Sequence, residues 1–190
     1  MRVSREKFAE NREKILAVAG ELFREKGFDG VGVADIMKAA GLTHGGFYGH
    51  FESKDDLACE ASKALVARAQ ERWQEVVEGA APEASRDALL EHYLSHRNVV
   101  EHGTGCVFAA LTQEVSRYGP EMQSTFTNGL MGMAAILEEI TPGETREERR
   151  RKALADLSTM VGAVILARAL DTPALSEELL AATRQELASR

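Results

Sequence analysis

The chain has 190 residues, a formal net charge of −7, 44% apolar residues and 28% charged ones. This composition excludes a disordered chain, a collagen-like repeat and a disulfide-stapled miniature, and the length suffices for a real core. Two cysteines, Cys59 and Cys106, are too few for a disulfide framework and are expected as reduced thiols.

Sparse aromatics, four prolines and abundant Ala, Leu, Glu and Arg favour helix over sheet, and the expected fold class is all-α, with about nine helices. Phe8, Ile15, Ala19, Leu22 and Phe23 fall on one stripe and predict a first helix, ended by Gly27. A short second helix is predicted over 33–40, with Val33, Ile36, Met37 and Ala40 inward, followed by a Gly41-Leu42 turn. Thr43 can cap a third helix over 44–49, and Ser53-Lys54-Asp55-Asp56 reads as a capping box opening a long fourth helix to Gly79.

Beyond Ala80-Ala81-Pro82, helices are predicted over 83–94 (extending toward Val100), 106–118 and 121–140. A second capping box, Thr145-x-x-Glu148, opens another through Ala169, and Ser176 is expected to cap the last. The strongly apolar run at 160–167 is far shorter than the ~20 residues that cross a bilayer. The start, Met1-Arg2-Val3-Ser4, leads into a charged helix rather than an apolar leader, so a cytoplasmic location with no membrane partner is expected.

Charge is uneven. Residues 1–58 hold nine Lys/Arg against ten Asp/Glu, while residues 59–190 hold fourteen against twenty. The near-neutral front, with Arg2, Arg5 and Lys7 at its start, leaves room for a local basic face despite the acidic whole. The run Arg149-Arg150-Arg151-Lys152 follows Glu144, Glu147 and Glu148 and reads as a solvated helix face with internal ion pairs.

A helix, a glycine turn and a short capped helix form a helix-turn-helix, whose second helix enters the major groove. Gly45 and Gly46 are small enough to let the backbone approach DNA, while Ile36, Leu42, Phe47 and Phe51 hold the unit together. The blocks Ile15-Leu16, Leu22-Phe23, Gly27-Phe28, Ala39-Ala40-Gly41-Leu42-Thr43-His44-Gly45-Gly46-Phe47-Tyr48, His50-Phe51, Ser53-Lys54 and Leu57 resemble the TetR/AcrR family of bacterial transcriptional regulators.

The resemblance implies a homodimeric repressor, not an enzyme. Residues 1–52 would form the helix-turn-helix DNA-binding domain, and residues 53–190 a helical ligand-binding and dimerisation domain. It implies that Thr43 lies near phosphate or base, that His44 and Gly45 read bases, and that Tyr48, His50 and Lys54 contact phosphate. Gly32 departs from the family's Ser or Thr at the start of the second helix, which removes one phosphate contact.

Expected partners are double-stranded operator DNA, a small-molecule inducer and a second copy of the chain; no cofactor or metal is expected. Cys106 at a helix start, with His102 near it, raises the alternative of a repressor that senses electrophiles or oxidants through its thiol, without a reversible ligand. Cys59 reads as packing. His92 and His96, at i and i+4, share a face, and with His102 and Cys106 only weakly resemble a soft metal site. The same residues underlie a rival reading as a helical-bundle enzyme, which lacks paired carboxylates or a nucleophile–base motif.

Apolar cavity walls are expected from Trp73, Tyr93, Phe108, Leu111, Met122, Phe126, Met131 and Met133, with His92, His96 and Cys106 as polar contacts. Met160, Gly162, Ala163, Val164, Ala167, Leu175, Leu179, Leu180 and Leu187 are expected to form the dimer surface.

Overall fold

The computed structural model describes residues 4–189, so Arg2 and the rest of the first three residues lie outside the described region. Nine α-helices and two 3-10 turns make up the described residues, with no strand among them. The front unit comprises α1 (Arg5–Lys26), α2 (Val33–Ala39) and a 3-10 helix (His44–Gly49). The fourth helical element, α3 (Lys54–Glu78), follows; then come a 3-10 turn (Pro82–Ala84), α4 (Ser85–Tyr93), α5 (His96–Val100) and α6 (Val107–Val115). Long helices α7 (Pro120–Ile140), α8 (Arg146–Ala169) and α9 (Pro173–Ala188) complete the chain.

Local chemistry sets these bounds. The Ser4 hydroxyl accepts from the Lys7 amide at 3.1 Å and starts α1, whose stripe buries Ile15, Leu16, Ala19 and Phe23. Gly27, at φ 75°, ends it, a conformation that costs a residue with a Cβ. Ser53 accepts from the Asp56 amide at 3.0 Å, and the Asp56 carboxylate accepts from the Glu52 amide at 3.0 Å, so α3 opens on a reciprocal cap. Thr145 and Glu148 do the same for α8, the Glu148 carboxylate reaching the Glu144 amide.

The core runs from α1 through α3 to α7, then through α8 to α9. Arg86 of α4 pins the far end. Its Nη2 donates to Asp156 Oδ2 at 2.7 Å and to the Leu187 carbonyl at 3.1 Å, and its Nη1 donates to Thr141 Oγ1 at 2.9 Å. One guanidinium therefore ties α4, α8, α9 and the end of α7 together away from water.

Four expectations change. The last helix starts at Pro173, whose missing N–H suits a first turn, so Ser176 lies inside it, buried, rather than capping it. The helix predicted to run toward Val100 breaks at Leu94-Ser95. Phe8 is half-exposed, its ring stacked on His50 instead of buried in the α1 stripe. Met160, Ala163, Val164, Ala167, Leu180 and Leu187 are core residues of the single chain. Leu175, also expected on that surface, is exposed, and the exposed apolar residues at the end of α8 are Ile165, Leu166 and Leu170.

The basic run on α8 is indeed laced with ion pairs, Lys152 with Glu148 at 2.9 Å and Arg150 with Glu138 at 3.8 Å. No helix among the described residues is long and apolar enough to cross a membrane.

Candidate nucleic-acid interface and ligand cavity

Two features stand out, one at each end of α1. At the front, Gly41 at φ 67° makes the tight turn between α2 and the 3-10 helix. Ile36, Met37, Ala40, Phe47 and Phe51 are buried, and Phe47 and Phe51 pack with ring centroids 5.8 Å apart. Arg12 lies over the Phe51 ring at 4.8 Å and pairs with Glu60 at 3.4 Å, linking α1 to α3.

Everything else on the short helix faces out. Thr43, His44, Gly45 and Gly46 are exposed, and Tyr48 is 69% exposed. Thr43 makes no side-chain cap, contrary to expectation; its carbonyl accepts from the Gly46 amide at 3.0 Å. A Cβ on Gly45 would meet no protein atom within 4 Å, so the fold does not demand glycine there. Lys54, first residue of α3, is half-buried.

His50 stacks on Phe8 at 4.1 Å between ring centroids, and its Nδ1 is buried without a partner among the described residues. Burial first, then Arg12, holds its pKa below the ordinary value. Its ring therefore serves packing, and any phosphate contact falls to Nε2. Gly32 caps α2 without a side chain; the Asp35 carboxylate accepts from its amide at 3.3 Å.

At the other end of α1 a cavity of about 480 Å³ opens between α1, α3, α4, α5 and the loop before α6. Trp73, His92, Tyr93, Cys106 and Met133 line it, as the sequence suggests. Trp73 and Tyr93 meet edge to face at 5.4 Å. The Tyr93 hydroxyl donates to Cys106 Sγ at 2.9 Å, and Asn98 Oδ1 accepts from the Cys106 amide at 2.9 Å.

The remaining predicted cavity residues lie elsewhere. Phe108 and Phe126 pack edge to face at 5.5 Å inside the core, Met122 is fully buried there, and Leu111 is buried likewise. His96 points to solvent, 4.0 Å from Glu177, because the break at Leu94-Ser95 ends the α4 periodicity that would have aligned it with His92. No group of three metal-ligating side chains comes together among the described residues.

Sequence reasoning missed the cationic lining of Arg24, Arg68, Arg72 and Arg97. Its signal was present: Leu65, Arg68, Ala69, Arg72 and Trp73 follow the i, i+3, i+4, i+7, i+8 pattern of one helix face. Arg24 Nη1 donates to the Gly105 carbonyl at 3.5 Å, while its Nε is buried without a partner among the described residues.

A tri-helical unit with an outward-facing, glycine-bearing third helix, fused through α3 to a helical body with a cavity, defines a helix-turn-helix regulator architecture. Comparison with known proteins agrees. The family model of bacterial regulatory proteins, tetR family, matches residues 15–61. The HTH-type transcriptional repressor NemR of Escherichia coli K12 is 29% identical over 133 residues, 68% of this chain and 66% of the relative's length.

Among solved structures, E. coli NemR in its reduced form superposes with a TM-score of 0.78 at 25% identity, covering 94% of this chain and 95% of the other. A TetR transcriptional regulator from Chloroflexus aurantiacus superposes with a TM-score of 0.83 at 28% identity, covering 97% and 95%. Residues 15–61 thus match the TetR family of bacterial regulatory proteins, and the chain as a whole is similar to regulators of that family.

Proposed function

We propose that the protein is a homodimeric transcriptional repressor that binds operator DNA through residues 1–52 and releases it when a small molecule occupies the cavity between the end of α1 and the helices of residues 53–190. The observation that carries this reading is that α1 serves both features. Its front half packs the helix-turn-helix, and Glu21 and Arg24 near its end wall the cavity. A ligand that displaces α1 or α3 therefore re-aims the reading face.

On DNA, the 3-10 helix enters the major groove. Thr43, His44, Gly45 and Gly46 meet base edges and phosphate, and Tyr48, Lys54 and the Nε2 of His50 meet the backbone. The open space around Gly45 supports this, since a glycine the fold does not require suits close approach of an outside surface. Two copies joined through Ile165, Leu166, Leu170 and Leu175 would present two such helices to half-sites about 34–36 Å apart.

A second reading has its own support. Cys106 is partly exposed inside the cavity, within electrostatic reach of Arg24 and Arg168. Modification of that thiol by an electrophile or oxidant would put a new group where the ligand sits and act on the same helices. Fluorescence anisotropy with the gene's own upstream DNA, against random competitor, tests both. Specific binding is expected. Release by a mild oxidant, lost in Cys106→Ser, would favour the thiol route; indifference to oxidant leaves the reversible ligand. Absence of sequence-specific binding overturns the proposal.

A further inference from the structure

In a chain of net charge −7, the cavity is lined by four arginines and one carboxylate, Glu21. Two of the four are already neutralised from outside the cavity. Arg72 pairs with Glu75 at 3.2 Å, and Arg97 with Glu101 at 2.9 Å. Arg24 and Arg68 have no ion-pair partner within 4 Å among the described residues. Arg168 backs the same corner, donating to the Asn98 carbonyl at 2.7 and 3.1 Å.

These cations repel one another. Arg68 and Arg168 both disfavour the charge on Arg24, after burial, which is the larger cause; only Glu21 and Cys106 favour it. Across the cavity, Arg72 and Arg97 add to burial in keeping His92 neutral. Arg68 stays exposed, but Arg24 is partly desolvated, and a buried N–H left unbonded costs free energy. The buried, unpartnered Nε of Arg24 is such a group. Leu65, Trp73 and Met133 supply the apolar part of the lining.

We propose that the cavity takes a small organic anion, a carboxylate on an apolar body of about one ring, its charge held by Arg24 and Arg68 and its body against Trp73. This rests on the reading of the cavity as the effector site and names the effector's chemical class. A guanidinium fork matches two carboxylate oxygens, and the volume falls in the ordinary range of ligand sites.

Trp73 is the single tryptophan of the chain, so its fluorescence reports on the cavity alone. The test titrates the full-length protein, kept reduced, with benzoate, phenylacetate and 3-phenylpropionate, each against its primary amide, with excitation at the red edge of tryptophan absorption. At least one acid is expected to perturb Trp73 saturably and to bind about tenfold or more tightly than its amide.

Arg68 is exposed, so Arg68→Gln should fold normally; it should weaken the acid and leave the amide unchanged. Acid and amide binding equally, or acid binding unchanged in Arg68→Gln, overturns the anion inference and leaves the cavity a ligand site. Silence of Trp73 toward every acid and amide overturns both. An acid that binds by fluorescence yet leaves the operator complex intact in anisotropy upholds the anion site and overturns its role as effector site.

Discussion

The backbone amide of Phe28, just past the end of α1, donates to the Glu114 carboxylate near the end of α6 at 2.8 Å. Phe28 is fully buried and packs on Tyr118 at 4.7 Å, and Gly27 beside it lacks the Cβ that would collide with Glu114. This latch joins the helix-turn-helix unit to the body at the segment that leads from the cavity. Glu114→Ala leaves a buried amide without an acceptor, which costs about 1–3 kcal/mol. Thermal melts should fall by several degrees, and Glu114→Gln, which keeps an acceptor oxygen, should recover most of the loss. Operator affinity in Glu114→Ala should respond less to effector than in wild type, because the two units are no longer held together.

Gly45 separates folding from reading. Its surroundings are open and its φ is not positive, so Gly45→Ala fits the fold and should raise stability by roughly 0.4–1 kcal/mol through the unfolded chain. The same methyl group stands where base edges would approach. Anisotropy should show operator affinity reduced by tenfold or so, about 1.4 kcal/mol, with the melting temperature unchanged or higher. Unchanged operator affinity would remove the 3-10 helix from the interface.

The helix-turn-helix was legible in the sequence because its determinants are local. The Gly41 turn, the Ser53 cap and the inward apolar residues Ile36, Phe47 and Phe51 lie within one short stretch. The cavity was legible only in part. Trp73 with Tyr93, and Phe108 with Phe126, look alike as aromatic residues on helices. One pair faces a gap between α3 and α4, and the other fills the core between α6 and α7. That difference depends on which helices meet, not on spacing within one. The same holds on α8, where Val164 is buried and Ile165 and Leu166 are exposed, because α7 and α9 together cover one face of an almost uniformly apolar run.

The two thiols should react differently. Burial, with Glu121 second, pushes the Cys59 thiol up, away from the nucleophilic thiolate form. Cys106 opens onto the cavity beside two guanidinium groups. Limiting iodoacetamide at neutral pH, followed by peptide mass spectrometry, should label Cys106 well before Cys59. An anionic reagent such as iodoacetate should enlarge that preference if the cavity carries positive potential. Preferential labelling of Cys59 would dismiss the thiol route.

His92 gives the pH dependence a sign. Burial first, then Arg72 and Arg97, lowers its pKa in the folded protein below the ordinary 6.5. The unfolded chain therefore takes up the proton first as pH falls, and stability declines from about pH 6.5 downward until the folded value is passed. Melts across this window should show a steeper acid decline for wild type than for His92→Gln. An equal slope would mean that His92 is solvated in the folded state.

Dimerisation through α8 can be tested without disturbing the protomer. Leu166 is 58% exposed and Ile165 is 44% exposed, whereas the neighbouring Val164 and Ala167 carry the internal packing. Leu166→Glu places a charge on the outer face, so the secondary structure and melting of the protomer should be kept. In a two-fold interface the same carboxylate faces its symmetry mate, and like charges there add repulsion to lost apolar burial. Sedimentation should shift from dimer to monomer. Because two half-sites are then read independently, operator affinity should drop on the order of 10²–10⁴-fold. A dimer that survives Leu166→Glu unchanged would place the interface on another face.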